Sequence, residues 1–382
     1  MSLLLPIIAA EIKSQGPLSV ARYMAMALGH DQYGYYTKQD PFGAQGDFIT
    51  SPEISQMFGE MLGLWCAAVD QSLGLSGPIN LVELGPGRGT LMCDALRAAG
   101  SVPGFLERVR VSLVETSPVL RARQKTSLEP FDVEVTWYDR FEDVTEGPML
   151  VIGNEFFDAM PVHQYVRAKD GWFERLVGLA KDQSTLVFEL SADKIDQNLI
   201  AEVLLNTAKI DDVFEDQAIS KTIMTKIAER LVAHGGAAVF LDYGHDQHAL
   251  GDTFQAMRTH QFVDVLSNPG DQDLTVHVDF EQMSQAAKKA GADVYGPLAQ
   301  GVFLESLGLR QRAGALKASA TQDQLFDVNR AYSRLTSPEQ MGSLFRVIAL
   351  GSSGQRMGSS GQSTGSSGQN ARPKDLNVPP WS

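Results

Sequence analysis

Short apolar runs alternate along the chain with segments whose apolar residues recur at helical spacing. The apolar runs, several of them rich in β-branched residues, predict strands at 78–84, 109–115, 133–137, 149–154, 237–243 and 344–350. Helical patterns lie at 88–99, 221–234 and 280–290. Strands and helices that alternate in this way are typical of a mainly parallel sheet wound with helices. The pattern therefore predicts an α/β fold.

The stretch from 164 to 190 has a different pattern. Its residues alternate between apolar and polar, and the pair Asp170-Gly171 is typical of a tight turn between strands. A β-hairpin or three-stranded insertion fits this pattern better than another crossover helix. We therefore expect a β-rich subdomain inserted over 164–220, on the side where a substrate binds.

Composition sets the outer boundaries of the fold. A chain of 382 residues with 43% hydrophobic residues can bury a large core. After residue 350 the sequence GSSGQ occurs three times, and such a segment has too few apolar residues to fold. We divide the chain into an N-terminal helical lid over 1–75, a main domain over 76–350 and a flexible tail over 351–382.

Charge and cysteine content exclude several classes of function. The 32 basic and 46 acidic residues give a net charge of −14, which argues against nucleic acid as the main partner. The two cysteines form neither a disulfide framework nor a paired-cysteine metal site, so a reducing compartment is expected. No run approaches the roughly 20 apolar residues of a membrane span, and the apolar start has no basic region before it. We expect no membrane span and, if the chain is bacterial, a cytoplasmic location. The oligomeric state stays open, a homodimer included.

A glycine-rich loop follows the first predicted strand. The stretch LVELGPGRGT places Gly85, Gly87 and Gly89 two residues apart, with Glu83 just before them. A phosphate-binding P-loop needs four residues between its glycines and then a lysine, which is missing here. A dinucleotide fingerprint needs its third glycine where Thr90 stands, so that interpretation is weakened but stays open. An acid before the glycines suits the amino group of S-adenosylmethionine.

Acidic residues also follow two further strands. Glu115 ends the second strand, where a carboxylate can accept both ribose hydroxyls of an adenosine, from a dinucleotide or from S-adenosylmethionine. Asn154, Glu155 and Asp158 follow the fourth strand. Ligands of open α/β sheets lie at the carboxyl ends of the strands, so we expect these three residues at the reacting end of the cofactor, facing a cationic acceptor. The alternative that Glu155 and Asp158 only brace the turn stays open.

Ten motifs in order resemble those of the MidA family, the mitochondrial complex I assembly-factor methyltransferases and their bacterial relatives. Among them are GDFITSPEISQMFGE, LVELGPGRGTLMCDALR, LVETSPVLRARQ, NEFFDAMPVHQ, LDYG and DLTVHVDF. The resemblance covers residues 1–350. It implies a class I methyltransferase fold, with a doubly wound, Rossmann-like sheet of seven mainly parallel strands, and S-adenosylmethionine as cofactor. For the eukaryotic member it implies symmetric dimethylation of an arginine on the 49 kDa subunit of complex I, and hence a protein substrate.

Polar residues in these motifs complete the predicted site. Asp47 and Thr50 are expected to reach the methionine end of the cofactor, although Ser51-Pro52 is also an ordinary helix start with Ser51 as its cap. Three residues of the later motifs are expected to line the acceptor side: Asp242, His277 and Asp279. We expect no metal, because methyl transfer needs none and the alternative ligands are neighbours in a loop: Asp242, His245, Asp246 and His248.

Three classes of function stay open. The first is a protein arginine methyltransferase that supports complex I assembly. The second is a methyltransferase for another acceptor, since Asn154 and two aromatic residues faintly resemble the Asn-Pro-Pro-Tyr signature of amide and base methylases, although Glu155 and Phe156 replace the prolines. The third is a non-catalytic assembly chaperone that only binds the cofactor.

Overall fold

The structure, a computed structural model, describes residues 2–38 and 50–352. The helices of these residues are α1 (Leu5–Gln15), α2 (Val20–Gly29), α3 (Tyr35–Lys38), α4 (Ser51–Ile54), α5 (Gln56–Leu73), α6 (Thr90–Ala99), α7 (Pro118–Leu128), α8 (Glu202–Leu205), α9 (Ala218–His234), α10 (Phe280–Lys289), α11 (Gln300–Ser306), α12 (Leu309–Ala318), α13 (Gln322–Thr336) and α14 (Met341–Leu344). The strands are β1 (Leu18–Ser19), β2 (Ile79–Leu84), β3 (Val109–Val114), β4 (Glu134–Tyr138), β5 (Met149–Asn154), β6 (His163–Ala168), β7 (Gly171–Leu179), β8 (Leu186–Lys194), β9 (Val213–Asp216), β10 (Gly236–His245), β11 (Gln255–Arg258), β12 (Gln261–Val263), β13 (Asp273–Thr275), β14 (Val278–Asp279), β15 (Asp293–Ala299) and β16 (Phe345–Gly351).

Seven strands form the central sheet, in the order β15-β16-β10-β5-β2-β3-β4. The pairings from β10 to β4 are all parallel, whereas β16 runs antiparallel to both of its neighbours. The two residues of β14 extend the sheet beside the end of β10. The prediction of a doubly wound sheet of seven mainly parallel strands is confirmed.

Helices cover both faces of this sheet, and the strands show why. Successive side chains of a strand point to opposite faces, so Leu81 packs in one core with α5 and α6, while Val82 packs in the other with α9 and α10. Every residue of β2 and β5 is buried. Strands buried on both faces read as continuous apolar runs, which is why the sequence pattern located them.

A second sheet combines the insertion with the N-terminal region. It has the order β1-β7-β6-β9, with β8 also paired to β7. Strands β6, β7 and β8 are antiparallel and correspond to the three-stranded insertion predicted over 164–190. Strand β1 pairs with β7, and α1 and α2 share a core with β7 and β13. The division into 1–75, 76–350 and the insertion 164–220 stays a prediction, as does the tail over 351–382, of which 353–382 lies outside the described residues.

In the part of the chain that the structure describes, no helix is long and apolar enough to cross a membrane.

Candidate active site

Two adjoining cavities lie where the parallel strands β2, β3 and β5 end. The main cavity has a volume of about 630 Å³. The side cavity has a volume of about 40 Å³. The two cavities share four lining residues: Thr50, Gly85, Gly87 and Glu155. The carboxyl ends of strands are where open α/β sheets bind ligands, so this pair of cavities is the candidate active site.

The glycine-rich loop joins β2 to α6 and requires glycine for two reasons. Gly85 and Gly89 have φ angles of +61° and +81°, in the left-handed region that favours glycine. A Cβ atom on Gly85 would also lie 3.0 Å from the Phe156 ring. A Cβ atom on Gly89 would lie 3.4 Å from Cγ of Gln124. The loop is therefore packed closely between the segment after β5 and helix α7, and Gly85 and Gly87 line both cavities.

Buried acceptor atoms without partners surround the side cavity. Among the described residues, Oε2 of Glu83 and Oδ1 of Asn154 accept no hydrogen bond, and both residues line this cavity. Burial, with the nearby Glu115, raises the pKa of Glu83 to about 8. Unpaired buried acceptors are costly, and an ammonium group brings three donors and a positive charge. The side cavity therefore suits an amino group.

Glu115 follows β3 and is held in place on the wall of the main cavity. Its Oε1 accepts a hydrogen bond from the backbone N–H of Ser117 at 2.8 Å, and its Oε2 accepts one from Nε2 of Gln124 at 3.2 Å. Gln124 Nε2 also donates to the carbonyl of Gly87 at 2.7 Å, and Gln124 Oε1 accepts from Trp137 Nε1 at 2.9 Å. Each carboxylate oxygen keeps a lone pair for a ribose hydroxyl. Gln124 was not predicted, although it ends the motif LVETSPVLRARQ.

Asp139, the residue after β4, also lines the main cavity and was not predicted. Its Oδ1 accepts a hydrogen bond from Nη2 of Arg121 at 2.7 Å, and Nε of Arg121 donates to the carbonyl of Glu115 at 2.7 Å. Arg121 therefore links the ends of β3 and β4. The rule that singled out Glu115, an acid at the tip of a strand, applies equally to Asp139 and could have located it.

Asp242 braces the loop that follows β5. Its Oδ2 accepts hydrogen bonds from the backbone N–H groups of residues 156–158 at 2.9 to 3.2 Å, and its Oδ1 accepts one from Tyr243 N–H at 3.0 Å. These bonds hold a turn in which Glu155 has a φ of +49°, rare for a residue with a side chain. Burial and the charge of Glu155 raise the pKa of Asp242 to about 8, against the effect of its N–H donors.

Glu155 connects the loop after β5 to helix α4. Its Oε1 accepts hydrogen bonds from the backbone N–H of Ser51 at 2.9 Å and from Nδ2 of Asn154 at 3.0 Å. The predicted capping role of Ser51 is wrong, because Thr50 is the N-cap and Ser51 is the first helical residue. Burial raises the pKa of the Glu155 carboxyl.

Helix α4 also contacts the glycine-rich loop. Oε1 of Glu53 accepts a hydrogen bond from Oγ1 of Thr90 at 2.6 Å, and its Oε2 lies 3.5 Å from Nη1 of Arg88. The predicted residue Thr50 therefore lies between the two loops, on the wall of both cavities. Asp47, its predicted companion, lies outside the described residues.

Asp158 is the centre of a buried acidic group at the other end of the main cavity. Burial, with the charges of Asp242, Asp273 and Glu155, raises the pKa of Asp158 well above its ordinary value. Two acidic residues and two tyrosines line this part of the cavity: Asp158, Asp273, Tyr36 and Tyr243. The charge of Arg334 lowers the pKa of Glu155, but burial raises it more. A group of buried carboxyls of this kind favours a cationic ligand.

Asp242, His277 and Asp279 were predicted to line the acceptor side, and none of the three lines either cavity. Asp242 is occupied by its backbone bonds, and Tyr243 lines the cavity in its place. Asp279 is the N-cap of α10, and its Oδ2 contacts Nδ1 of His248 at 2.9 Å. The His277 ring packs edge-on against Tyr243 at 5.3 Å. A direct contact of these three residues with an acceptor stays a prediction.

Metal-ligating side chains are not gathered anywhere in residues 2–38 and 50–352, where no group of three or more His, Cys, Asp or Glu could hold a metal ion.

Known proteins that are similar to this chain include methyltransferases. A sequence model of a family described as S-adenosyl-L-methionine-dependent methyltransferase matches residues 61–298. The mitochondrial protein arginine methyltransferase NDUFAF7 of Danio rerio is 38% identical over 367 residues, which cover 90% of this chain and 85% of that protein. The human protein of the same name is 34% identical over 366 residues, covering 89% of this chain and 81% of that protein.

Two crystal structures of Burkholderia thailandensis proteins are also similar over most of the chain. The first, with bound S-adenosyl-homocysteine, is 28% identical and superimposes with a TM-score of 0.81, covering 91% of each chain. The second, a native structure, is 31% identical with a TM-score of 0.78 and the same coverage. The similarity thus extends across both sheets and the site.

Proposed function

Because the chain belongs to the S-adenosyl-L-methionine-dependent methyltransferase family, we propose that it methylates an arginine side chain of a protein. The predicted class I fold, the methyltransferase activity and the cofactor S-adenosylmethionine are confirmed. The curated relatives are named protein arginine methyltransferases, which supports an arginine acceptor here. Following the family resemblance, we infer symmetric dimethylation of the respiratory NADH dehydrogenase subunit that corresponds to the 49 kDa subunit, in support of assembly. The compartment would be the cytoplasm if the chain is bacterial.

The residues of the two cavities fit the cofactor. Glu83 and Asn154 offer the unpaired oxygens of the side cavity to its amino group, and Glu115 offers its carboxylate to the ribose. The close packing of Gly85 under Phe156 leaves the backbone of the loop as the wall of both cavities. S-adenosylmethionine, when bound, supplies an electrophilic methyl group on a positively charged sulfur.

One observation carries the choice of arginine: the buried carboxyl groups of Glu155 and Asp158 both line the main cavity, and burial raises the pKa of each. An arginine guanidinium stays protonated at neutral pH and presents five N–H donors in one plane. Carboxylates are its natural partners, often through two parallel hydrogen bonds. Burial makes the repulsion between these carboxylates costly. A cation that binds here offsets that repulsion.

The same carboxylates can take up the proton that methylation releases. A guanidinium nitrogen that gains a methyl group must lose one hydrogen as a proton. Glu155 lines both cavities, so it lies where the methyl donor and the acceptor meet, and burial raises its pKa and makes it a better base. We assign proton acceptance to Glu155 and orientation of the guanidinium to Asp158. The side chains of Phe156 and Met160 line the same cavity and exclude water.

The proposal is tested by incubating the chain with labelled S-adenosylmethionine and an extract from cells that lack their own copy. The labelled residue is then identified by mass spectrometry. A labelled arginine in a respiratory NADH dehydrogenase subunit is the expected result. Label on another residue type indicates the alternative of a different acceptor. Cofactor binding without any labelled product indicates the alternative of a non-catalytic assembly chaperone.

A further inference from the structure

A third cavity lies against helix α9, on a different face of the helix from the main cavity. It has a volume of about 380 Å³ and lies between α9, α10 and the insertion. Ile219 and Thr222 of α9 line the main cavity, whereas Lys221 and Thr225 of the same helix line the third cavity. Neither the family resemblance nor the reaction described above gives a role to this cavity, which we call the flank cavity.

Cations, amides and apolar side chains line the flank cavity. Three of its residues are basic: Lys221, His248 and Lys289. No Asp or Glu is among the described residues that line it, although the chain as a whole has 46 acidic and 32 basic residues. The insertion supplies an apolar part, in which Leu199 is 49% exposed and Phe214 is buried. A ligand with a negative charge and an apolar portion therefore fits this cavity.

Acidic residues outside the cavity wall hold two of the basic side chains in position. Nζ of Lys221 pairs with Oδ1 of Asp216, and Nδ1 of His248 contacts Oδ2 of Asp279 at 2.9 Å. An ammonium has three N–H donors, so the pair with Asp216 leaves donors of Lys221 for a ligand. Lys289, in the last turn of α10, is exposed. Positively charged donors therefore line the cavity from both α9 and α10.

The position of the flank cavity beside the active site favours a segment of the protein acceptor as its ligand. An α-helix with its side chains is about 10–12 Å across, and an extended chain spans about 3.3 Å per residue. About four extended residues therefore cross α9, over the exposed side chains of Ile219 and Thr222. Leu199 gives such a segment an apolar contact that a small inorganic anion cannot use.

We propose that the flank cavity binds an acidic segment of the protein acceptor, about four to eight residues away from the methylated arginine along the chain. A carboxylate of this segment binds between Lys221 and Lys289, and an apolar side chain beside it packs on Leu199. The inference rests on the proposed function, because it takes the acceptor to be a protein. The two cavities then recognise opposite charges of one acceptor, the arginine in the main cavity and the acid in the flank cavity.

The first test measures the binding of a fluorescent hexapeptide of alternating glutamate and leucine to the full chain by anisotropy. Lys289→Glu should weaken this binding about tenfold or more, because it replaces a charge-assisted hydrogen bond by repulsion. Lys288→Glu is the matched control, since Lys288 is exposed on the same turn of α10 and does not line the cavity. It changes the net charge equally and should leave the affinity within about twofold.

A second pair of variants tests the apolar part of the cavity. Leu199→Ser should weaken the binding of the same peptide about threefold, because apolar contact area is lost. Val203→Ser is its control, since Val203 is 62% exposed on the insertion and does not line the cavity. The same peptide with glutamine in place of glutamate should bind weakly to every chain.

Labelling rates connect the flank cavity to the reaction. They are measured against increasing amounts of the extract described above, at the arginine that the unaltered chain labels. Lys289→Glu should raise the KM for the acceptor about tenfold and leave the affinity for S-adenosylmethionine unchanged. An unchanged acceptor KM would overturn the inference.

Equal peptide affinities of Lys289→Glu and Lys288→Glu would also overturn it. So would a calorimetric titration in which inorganic phosphate binds at Lys289 and the peptide does not, because the cavity would then hold small anions only. If the unaltered chain labels no arginine, the proposed function fails and the inference fails with it. If the chain labels arginine but the two lysine variants bind the peptide alike, only the inference fails.

Discussion

The two ends of the proposed active site differ in the hydrogen bonds that their polar groups make. At the donor end, Glu115 has hydrogen bonds from Ser117 and Gln124 on its two oxygens, and only single atoms of Glu83 and Asn154 are left unpaired. At the acceptor end, several carboxylates are buried together and raise one another's pKa. The donor end is therefore pre-arranged by hydrogen bonds for a ligand of fixed shape, whereas the acceptor end favours a ligand with a positive charge. A cation relieves the repulsion there, and selectivity for an acceptor follows from that relief.

The largest effect is expected at the junction of the two ends. Glu155→Gln should slow methyl transfer about a thousandfold, because the variant can neither take up the proton nor pair with the guanidinium. Labelling rates with a saturating acceptor give this number, and equilibrium dialysis with labelled S-adenosylmethionine provides the control for donor binding. Unimpaired transfer with normal donor binding would mean that Glu155 only braces the turn.

Burial of Glu83 at the donor end makes the stability of the folded chain depend on pH, because it raises the pKa of this carboxyl. The pKa of Glu83 is raised from its ordinary 4.5 to about 8. At pH values between 4.5 and 8, Glu83 is therefore protonated in the folded chain and ionised in the unfolded chain. Stability from this group is complete below the unfolded pKa and falls as pH rises towards 8. The free energy of unfolding of Glu83→Gln, minus that of the unaltered chain, should therefore rise by about 3 kcal/mol when the pH is raised from 5 to 8.

Denaturant unfolding of both chains at these two pH values measures the difference. A stability difference that does not change with pH would show that Glu83 ionises normally in the folded chain.

Binding of the cofactor should respond to the same residue. Glu83→Gln should weaken the affinity for S-adenosylmethionine by about tenfold to a hundredfold, because the neutral amide loses a charge-assisted hydrogen bond to the amino group. Calorimetric titration measures it, and the acceptor KM at saturating cofactor should stay unchanged. If the variant binds S-adenosylmethionine with normal affinity, Glu83 does not contact the amino group of the cofactor.

Asp242→Asn tests whether this residue braces the loop or contacts the acceptor. The amide cannot accept from all four backbone N–H groups that now bind the carboxylate, so we expect a loss of about 2 kcal/mol of stability together with slower transfer. Thermal unfolding followed by activity assays separates the two roles. A fully stable variant with a raised acceptor KM would support the acceptor-side position instead.

The smallest effect is expected from Gln124, which positions Glu115 and touches no reacting group. Gln124→Leu removes the hydrogen bonds to Gly87 and Glu115, and we expect a fall of about threefold in affinity for S-adenosylmethionine. Fluorescence titration can detect this change. Unchanged affinity would show that Glu115 keeps its place without Gln124.

The fold could be predicted from the sequence because its signals are local. Six of the seven central strands coincide with the predicted runs. Five of the six are mostly buried and therefore need apolar residues almost throughout, whereas β4 is only partly buried. Strand β15 was missed because Gly296 and Pro297 interrupt it and most of its residues are only partly buried. The helix at 221–234 was found, but its first turn over Ala218 to Ser220 carries too weak a pattern to show its start.

The two ends of the site also differ in how well the sequence predicts their residues. The glycine-rich loop and Glu115 could be read from single motifs, because backbone conformation and strand tips are local features. The acceptor end comes from separate segments that the fold brings together, at Tyr36, Asp158, Tyr243 and Asp273. No sequence spacing shows that Tyr36 and Asp273, 237 positions apart, share a hydrogen bond. The bracing role of Asp242 was hidden for the same reason.

The central claim is that the two adjoining cavities have a donor end at Glu83 and Glu115 and an acceptor end at Glu155 and Asp158. A crystal structure of this chain with S-adenosyl-homocysteine tests it most directly. We predict that the amino group lies within hydrogen-bonding distance of Glu83 Oε2 and Asn154 Oδ1, with the ribose hydroxyls on Glu115 and the sulfur directed towards Glu155. An amino group bound instead among Asp158 and Asp273, with Glu83 still unpaired, would contradict the account.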